Sequence, residues 1–373
     1  MKYFIVCGEH SGDHYGARLM YFLKVKDPLA EFIFTGGEKM EQTAGKKSLI
    51  PLSNMNFMGF AEVLKNFFYV FENFCTVKKQ ILNYKPDRLI LIDYPGFNLR
   101  IAKWYHLKTG RKAHYFISPT VWAWKPKRAV HIQKHCEKLY CILPFEKNFY
   151  ENLGISNVEF VGHPMVEEIR EFKKNHRPVI FENENKSKVL LMPGSRVQEV
   201  KKHLPLMIEL TKKFPDVFFI LSAMKNIPFK YYKSAASAGI KLHYENSLNL
   251  MSIADVAVIK SGTSSLQATL MKLPHMVVYK SNPISVFIAK KLVKLNYISL
   301  VNIIPDKKIV AEYIQDDFNI HNLEMELRKM LSDVHYTRKM KEDFERVTNS
   351  LNPFDVHPCE KIANDLVAHE KFQ

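Results

Sequence analysis

An α/β protein of two Rossmann-like domains, with a helical carboxyl-terminal segment, is what the sequence predicts. Three observations carry that prediction. Short apolar runs closed by glycine or polar residues, each followed by helical periodicity, recur along the chain. The alternation breaks at a polar, turn-rich junction near residues 166–187 and then restarts. At 373 residues the chain is too long for one ordinary domain and long enough for two, each burying its own core. Strands alternating with helices build parallel sheets from βαβ units, and such sheets hold ligands beyond the carboxyl ends of their strands.

In the first half the strand-like runs are KYFIVCGE, EFIFTGG, RLILIDY, AHYFIS, KLYCIL and VEFVG. The second half supplies KVLLMPGS, VFFILSA, KLHY, VAVIKSG and HMVVYK. Between them KKNHRPVIFENENKSK reads as an interdomain linker, so domains are expected at 1–165 and 166–339. From about Glu324 to Ala368 the chain is helical and charged, and helices of 340–373 can pack back on the first domain. Two facing Rossmann-like domains are the architecture this pattern implies.

Composition narrows the function. With 47% hydrophobic and 25% charged residues the chain is globular and not disordered. Apolar runs such as LILI fall far short of the ~20 residues of a membrane-spanning helix. The amino terminus enters a strand directly, which leads to an expected cytoplasmic location. Five scattered cysteines make neither a C-x-x-C pair nor a zinc set and are expected to be reduced thiols. A net charge of +16 points to an anionic partner: nucleic acid, an acidic membrane face or a phosphorylated substrate. No nucleic-acid-binding signature accompanies it, so nucleic acid is not expected.

Four stretches of the first half stand out. Asp93 follows LILI at a strand's carboxyl end and precedes Pro95-Gly96. It either terminates the strand by accepting turn N–H bonds or serves as a general base, raised in proton affinity by a partly desolvated cleft. CGEHSGD is a small-residue turn: Gly8, Ser11 and Gly12 allow close backbone approach, and a helix is expected from about Asp13. Glu9, Ser11 and Asp13 there either bind polar ligand groups or, for Ser11 and Asp13, cap that helix. ISPTVWAWKPKR sets Trp122 and Trp124 beside Lys125, Lys127 and Arg128, as core anchors or as an aromatic and cationic patch. In MNFMGFAEVLKNFFYVFENF, the residues Phe60, Val63, Leu64, Phe67, Phe71 and Phe74 make one helical stripe, read as core. Phe57, Met58, Phe68 and Tyr69 fall outside it, an excess that suggests an acyl groove or a membrane-facing surface.

In the second half LLMPGSR brings a turn with Gly194 and Ser195, then Arg196, to a helix start. Backbone N–H groups, a hydroxyl and a guanidinium converge there as a diphosphate requires. VIKSGTSSLQATL repeats the device with the small residues Ser261 to Ser265. Neither matches the phosphate loop of nucleoside triphosphatases, and no acidic cluster for Mg²⁺ stands beside them. A nucleotide-sugar enzyme without metal or other cofactor fits this pattern.

The motifs GEHSGD, FMGFAEVL, LIDYPGFNLRIAKW, YFISPTVWAWKPKR, ILPFEKNFY, FVGHPM, LMPGSR, SGTSSLQATL and YISLVNII follow the order found in lipid-A-disaccharide synthase. The chain therefore resembles that family over nearly its whole length, to about Asp317. The resemblance implies an inverting GT-B glycosyltransferase of Gram-negative bacteria. Such an enzyme joins UDP-2,3-diacylglucosamine to 2,3-diacylglucosamine 1-phosphate (lipid X), giving the β-1,6 disaccharide of lipid A and UDP. It implies an acceptor domain followed by a UDP-sugar domain, in a monomer or homodimer lying peripherally on the anionic inner face of the inner membrane.

By the same resemblance Asp93 is the general base for the acceptor's 6-hydroxyl. Glu9, Ser11, Gly12, Asp13, Asn98 and Trp122 line the acceptor side of the cleft, with Gly96 and Asn98 shaping the backbone around the base. Gly194, Ser195, Arg196, Ser261, Gly262, Thr263, Asn302 and Gln315 are placed at the donor. Phe57, Met58, Phe60, Phe67, Phe68 and Phe71 are assigned to acyl chains or membrane. Two positions depart from the family pattern: Gln267 replaces a glutamate that binds ribose hydroxyls, and His10 bulks the first turn. Setting the resemblance aside, a 2-epimerase-like enzyme on a UDP-sugar and a noncatalytic basic binder are the alternatives.

Overall fold

A computed structural model describes residues 1–55, 67–124, 129–176, 186–282 and 296–368. The chain divides into two compact units, Met1–Pro164 with Leu351–Gln373, and Met165–Ser350. The crossing falls at Pro164–Met165, ahead of the polar junction, because helix Pro164–Asn175 joins the second unit. The return falls at Leu351 and not near 340, since helix Val334–Leu351 also lies almost wholly in the second unit. Residues 177–185 of the junction lie outside the described residues.

The first unit holds a six-stranded parallel sheet in the order β2-β1-β3-β4-β5-β6. Its strands are β1 (Lys2–Val6), β2 (Glu31–Thr35), β3 (Arg88–Ile92), β4 (Ala113–Phe116), β5 (Cys136–Cys141) and β6 (Val158–Phe160). The second unit has β7 (Lys188–Met192), β8 (Phe218–Ser222), β9 (Lys241–His243), β10 (Val256–Lys260), β11 (His275–Tyr279) and β12 (Glu312–Ile314). These six parallel strands are ordered β12-β11-β10-β7-β8-β9. The apolar runs of the sequence match β1 to β11. β12 is additional: its three residues, EYI, form an edge strand too short to leave an apolar run.

Both sheets are sandwiched between helices, which is why their strands read as continuous apolar runs without alternation. In the second unit Val189, Leu191, Val256 and Val258 join one core cluster, while Leu190, Met192, Ala257 and Ile259 join another. Successive residues of each strand thus bury into opposite layers.

The two strand orders also fix where ligands can sit. In each sheet the chain first grows in one direction and then reverses. The reversal lies between β1 and β3 in the first unit and between β7 and β10 in the second. The crevice beyond the carboxyl ends at such a reversal is the usual ligand position of an open α/β sheet. The four turns singled out in the sequence, after β1, β3, β7 and β10, are the four turns at these two points.

The carboxyl-terminal helix Pro358–Ala368 docks on the first unit against helix His10–Lys26. Lys26 pairs with Glu360 at 3.0 Å, and the Phe22 and His357 rings meet at 5.0 Å. Lys138 donates to Asp365 at 3.0 Å, Tyr140 Oη donates to the same carboxylate at 2.5 Å, and Lys361 pairs with Glu159 at 3.0 Å. A cavity of about 620 Å³, lined in part by His114, Lys138, Glu159 and Lys361, lies beside this helix. It borders β4, β5 and β6, and not the β1 and β3 ends that form the first unit's reversal point.

Candidate active site

At the first unit's reversal point, parallel register sets Val6 opposite Leu91, so Cys7–Glu9 run alongside Ile92–Tyr94. Asp93 and Tyr94 leave β3 with φ of 46° and 49°, two consecutive left-handed residues that are not glycine. Each such residue costs about 1–3 kcal/mol, so the surroundings must over-determine the turn. They do. The Asp93 N–H donates to the Phe116 carbonyl at 2.9 Å. The Asp93 carbonyl accepts from Tyr115 Oη at 2.6 Å and from Asn98 Nδ2 at 2.8 Å. Asn98 is fully buried on helix Pro95–Thr109, and its Nδ2 also lies 3.1 Å from the Ile92 carbonyl. Tyr94 Oη donates to the Met55 carbonyl at 2.8 Å. Pro95 then opens the helix at a position where no backbone N–H is needed.

The result is a backbone turn held rigidly at the strand end, carrying a half-buried carboxylate. Burial, reinforced by the neighbouring Glu9 charge, pushes Asp93 up to about 6, against a lowering pull from the Tyr94 N–H. Gly8 is required on the opposite strand end, because a Cβ there would lie 2.5 Å from the Tyr94 ring.

The turn after β1 differs from the sequence expectation in one respect. Helix His10–Lys26 starts at His10, with Glu9 at its N-cap, so Asp13 sits inside the first turn and does not begin the helix. The Asp13 carboxylate is buried and faces helix Glu38–Ala44. It accepts from the Gly37 N–H at 2.7 Å and from the Met40 and Lys39 N–H groups at 3.2 Å each. Asp13 therefore caps a helix, though not its own. Ser11 is exposed, Glu9 is half-buried, and Gly12 packs on Cys7.

Trp122 is half-buried, with its ring edge-on to Phe145 at 4.9 Å. Its Nε1 donates to Glu146 at 3.0 Å. Glu146 is buried and also accepts from the Ile142 and Leu143 N–H groups. Burial pushes Glu146 up to about 7 against those donors. It is the buried polar anchor of the Trp122 turn, and LPFEK gave its only sign. Lys125, Lys127 and Arg128 lie outside the described residues, as does the Trp124 side chain.

Helix Phe67–Tyr84 turns Val70 and Phe74 toward the core. Phe68, Tyr69 and Phe71 are 84%, 64% and 59% exposed. Phe71 therefore leaves the core stripe assigned to it and joins the outward set. Phe57, Met58, Phe60, Val63 and Leu64 lie outside the described residues, as does the Phe67 side chain.

In the second unit the turns after β7, β8 and β10 surround a pocket of about 140 Å³. Gly194, Ser195, Ser261, Gly262 and Thr263 all line it, so the expected donor turns do converge. Arg196 is exposed at the N-cap of helix Val197–Thr211. Gln267 is half-buried one turn along helix Thr263–Leu270 and is not among the lining residues. Met192, Ser222 and Met224 line the pocket as well, and so do two charged residues the sequence did not point to: Lys260, the last residue of β10, and Glu199. They pair at 2.8 Å inside the pocket.

Asn302 and Gln315 take other places. Asn302 is fully buried: its Nδ2 donates to Val310 and Glu312, and its Oδ1 accepts from Ile309 and Val310. Every polar atom of its amide is engaged within the protein. Gln315 binds the backbone of Ser281, tying the ends of β11 and β12 together. Among the described residues no group of three or more His, Cys, Asp or Glu side chains is placed to hold a metal ion.

A family model described as lipid-A-disaccharide synthetase matches residues 3–365. The chain belongs to the lipid-A-disaccharide synthetase family. It is thus a glycosyltransferase of lipid A disaccharide synthesis. Lipid-A-disaccharide synthase 1 of Legionella pneumophila (strain Philadelphia 1) is 34% identical over 359 residues, covering 93% of this chain and 92% of that protein. Lipid-A-disaccharide synthase of Trichlorobacter lovleyi is 34% identical over 356 residues, with the same shares. Among solved structures, UDP-GlcNAc 2-epimerase from Neisseria meningitidis bound to UDP-GlcNAc superposes with a TM-score of 0.66 at 13% identity. That match covers 99% of this chain and 100% of the other. At such identity the likeness speaks for the fold alone, the GT-B class expected from the sequence.

Proposed function

We propose that the enzyme joins UDP-2,3-diacylglucosamine to 2,3-diacylglucosamine 1-phosphate with inversion, giving the β-1,6 disaccharide 1-phosphate and UDP. The observation that carries this reading is Asp93, a half-buried carboxylate on a firmly held turn at a reversal point, its proton affinity raised by burial. Asp93 takes the proton of the acceptor's 6-hydroxyl as that oxygen attacks the donor's anomeric carbon. The bond from that carbon to the diphosphate breaks on the opposite side, so one displacement inverts the configuration. Charge growing on the departing UDP meets Arg196 and the N–H groups of the turns after β7 and β10. No metal takes part in this scheme, and excess chelator is expected to leave turnover unchanged.

Both substrates carry acyl chains, and two features suit such substrates. Phe68, Tyr69 and Phe71 present an aromatic surface on one helix. The chain carries a net charge of +16, which draws it to anionic lipid. Among the described residues no helix is long and apolar enough to cross a membrane. A peripheral position on the cytoplasmic face of the inner membrane follows from this reading.

The test is mass spectrometry of the product formed from defined acylated donor and acceptor in detergent. A disaccharide 1-phosphate, with UDP release requiring both sugars, is expected. UDP released from donor alone overturns the transferase scheme in favour of epimerase-like chemistry, and no release with either sugar overturns it in favour of a binder.

A further inference from the structure

We propose that Lys260 is a second cation of the donor site, held by Glu199 until the diphosphate of the nucleotide sugar draws it away. The inference rests on the reading of the second unit as the donor unit.

Glu199 stands in the first turn of helix Val197–Thr211, and its two carboxylate oxygens reach both donor turns. Oε2 accepts from the Ser195 N–H at 2.9 Å, in the turn after β7. Oε1 accepts from Lys260 Nζ at 2.8 Å, at the end of β10. Gly194, with φ of 124°, leaves the space this needs, since a Cβ there would lie 2.5 Å from Oε2. The Lys260 ammonium lies 3.9 Å from where a Cβ of Gly262 would sit, directly at the second turn. The carboxylate thus takes up one N–H and one cation that a phosphate would use, in the manner of an internal anion.

Both side chains are only about one-sixth exposed, at 17% and 16%, so the pair is shielded from salt. Yet it faces the 140 Å³ pocket and is not sealed in the core. An entering diphosphate carries more negative charge than Glu199. Lysine's flexible stem lets the ammonium turn from one anion to the other without backbone movement. Glu199 left behind is repelled by the ligand, so its displacement is part of binding.

The test measures UDP and inorganic pyrophosphate binding to the full chain by calorimetry, in wild type, Lys260→Met, Glu199→Gln and the double variant. Lys260→Met is expected to raise the Kd of both probes about tenfold or more, the loss of one charge-assisted bond. Glu199→Gln is expected to tighten both several-fold, by freeing the ammonium. Comparing the double variant with Glu199→Gln removes Lys260 where no unpaired carboxylate remains, so misfolding of the single variant does not decide the matter. There too the Kd is expected to rise about tenfold. Kd values within twofold in that comparison overturn the role of Lys260. Glu199→Gln weakening both probes overturns the displacement and makes the pair a strut. Wild type binding neither probe overturns the donor-site reading itself, a distinct outcome from either.

Discussion

Replacing Asp93 by asparagine is expected to do two opposite things: abolish transfer and stabilise the fold. The carboxylate is carried from an ordinary 3.8 to about 6, chiefly by burial and secondarily by the Glu9 charge. That difference corresponds to about 3 kcal/mol by which folding disfavours the ionised form. The sign follows from linkage. A group whose folded-state proton affinity is raised adds stability below its unfolded value and loses it as pH rises through the folded value. Above pH 6 the wild type therefore bears the full cost of an ionised, half-buried Asp93, whereas the amide carries no charge to desolvate. Below pH 3.8 the wild-type group is protonated in both states and the difference vanishes. Thermal denaturation at pH 7.5 should show the Asp93→Asn variant melting higher, by on the order of 10 °C for units of this size. The gain should shrink between pH 6 and pH 4. Transfer should fall by about 10²–10⁴, the usual worth of a general base. Wild-type turnover should itself have an acidic limb, with only about one-tenth of Asp93 ionised at pH 5. A variant that melts lower at pH 7.5, or a gain indifferent to pH, refutes the burial argument. Near-normal turnover refutes the base.

Gly8→Ala drives a methyl into the Tyr94 ring and is expected to shift the Asp93 turn, lowering turnover about 10- to 100-fold while the circular dichroism spectrum is kept. Unchanged turnover would show that the turn is not held from that side. Asp13→Ala removes the acceptor of three N–H groups at the Glu38 helix and should cost about 1–3 kcal/mol of stability by denaturant titration. Phe68→Ser with Phe71→Ser should reduce cosedimentation with vesicles of anionic lipid several-fold at unchanged Tm, and equal binding would exclude that helix as the contact.

Strand positions were legible because each buried strand is an uninterrupted apolar run ended by turn residues. The four candidate turns were legible because small and charged residues follow those runs directly. What stayed hidden involves partners distant in sequence. Asp13 reads as a cap for its own helix, and only the folded chain brings the Gly37 amide 2.7 Å from it. Lys260 reads as the last residue of a strand, since its partner Glu199 is 61 positions away. A lysine ending VAVI just before SGT was the available signal. Asn302 is placed at the donor by the family resemblance of SLVN, while in the structure its amide is bonded within the protein. Its apolar neighbours in LVNII were the sign that it faces inward, holding a turn by its amide.

The docked carboxyl-terminal helix has a consequence for biosynthesis. Met165–Ser350 is one continuous stretch and can close its sheet as soon as it clears the ribosome. The first unit is made earlier but completed later, because Leu351–Gln373 emerges only after the whole second unit. Until then helix His10–Lys26 lacks its neighbour, Lys138 and Tyr140 lack Asp365, and Glu159 lacks Lys361. The nascent first unit must wait with an apolar flank uncovered, which makes it the point at which a truncated or stalled chain would meet chaperones or proteases.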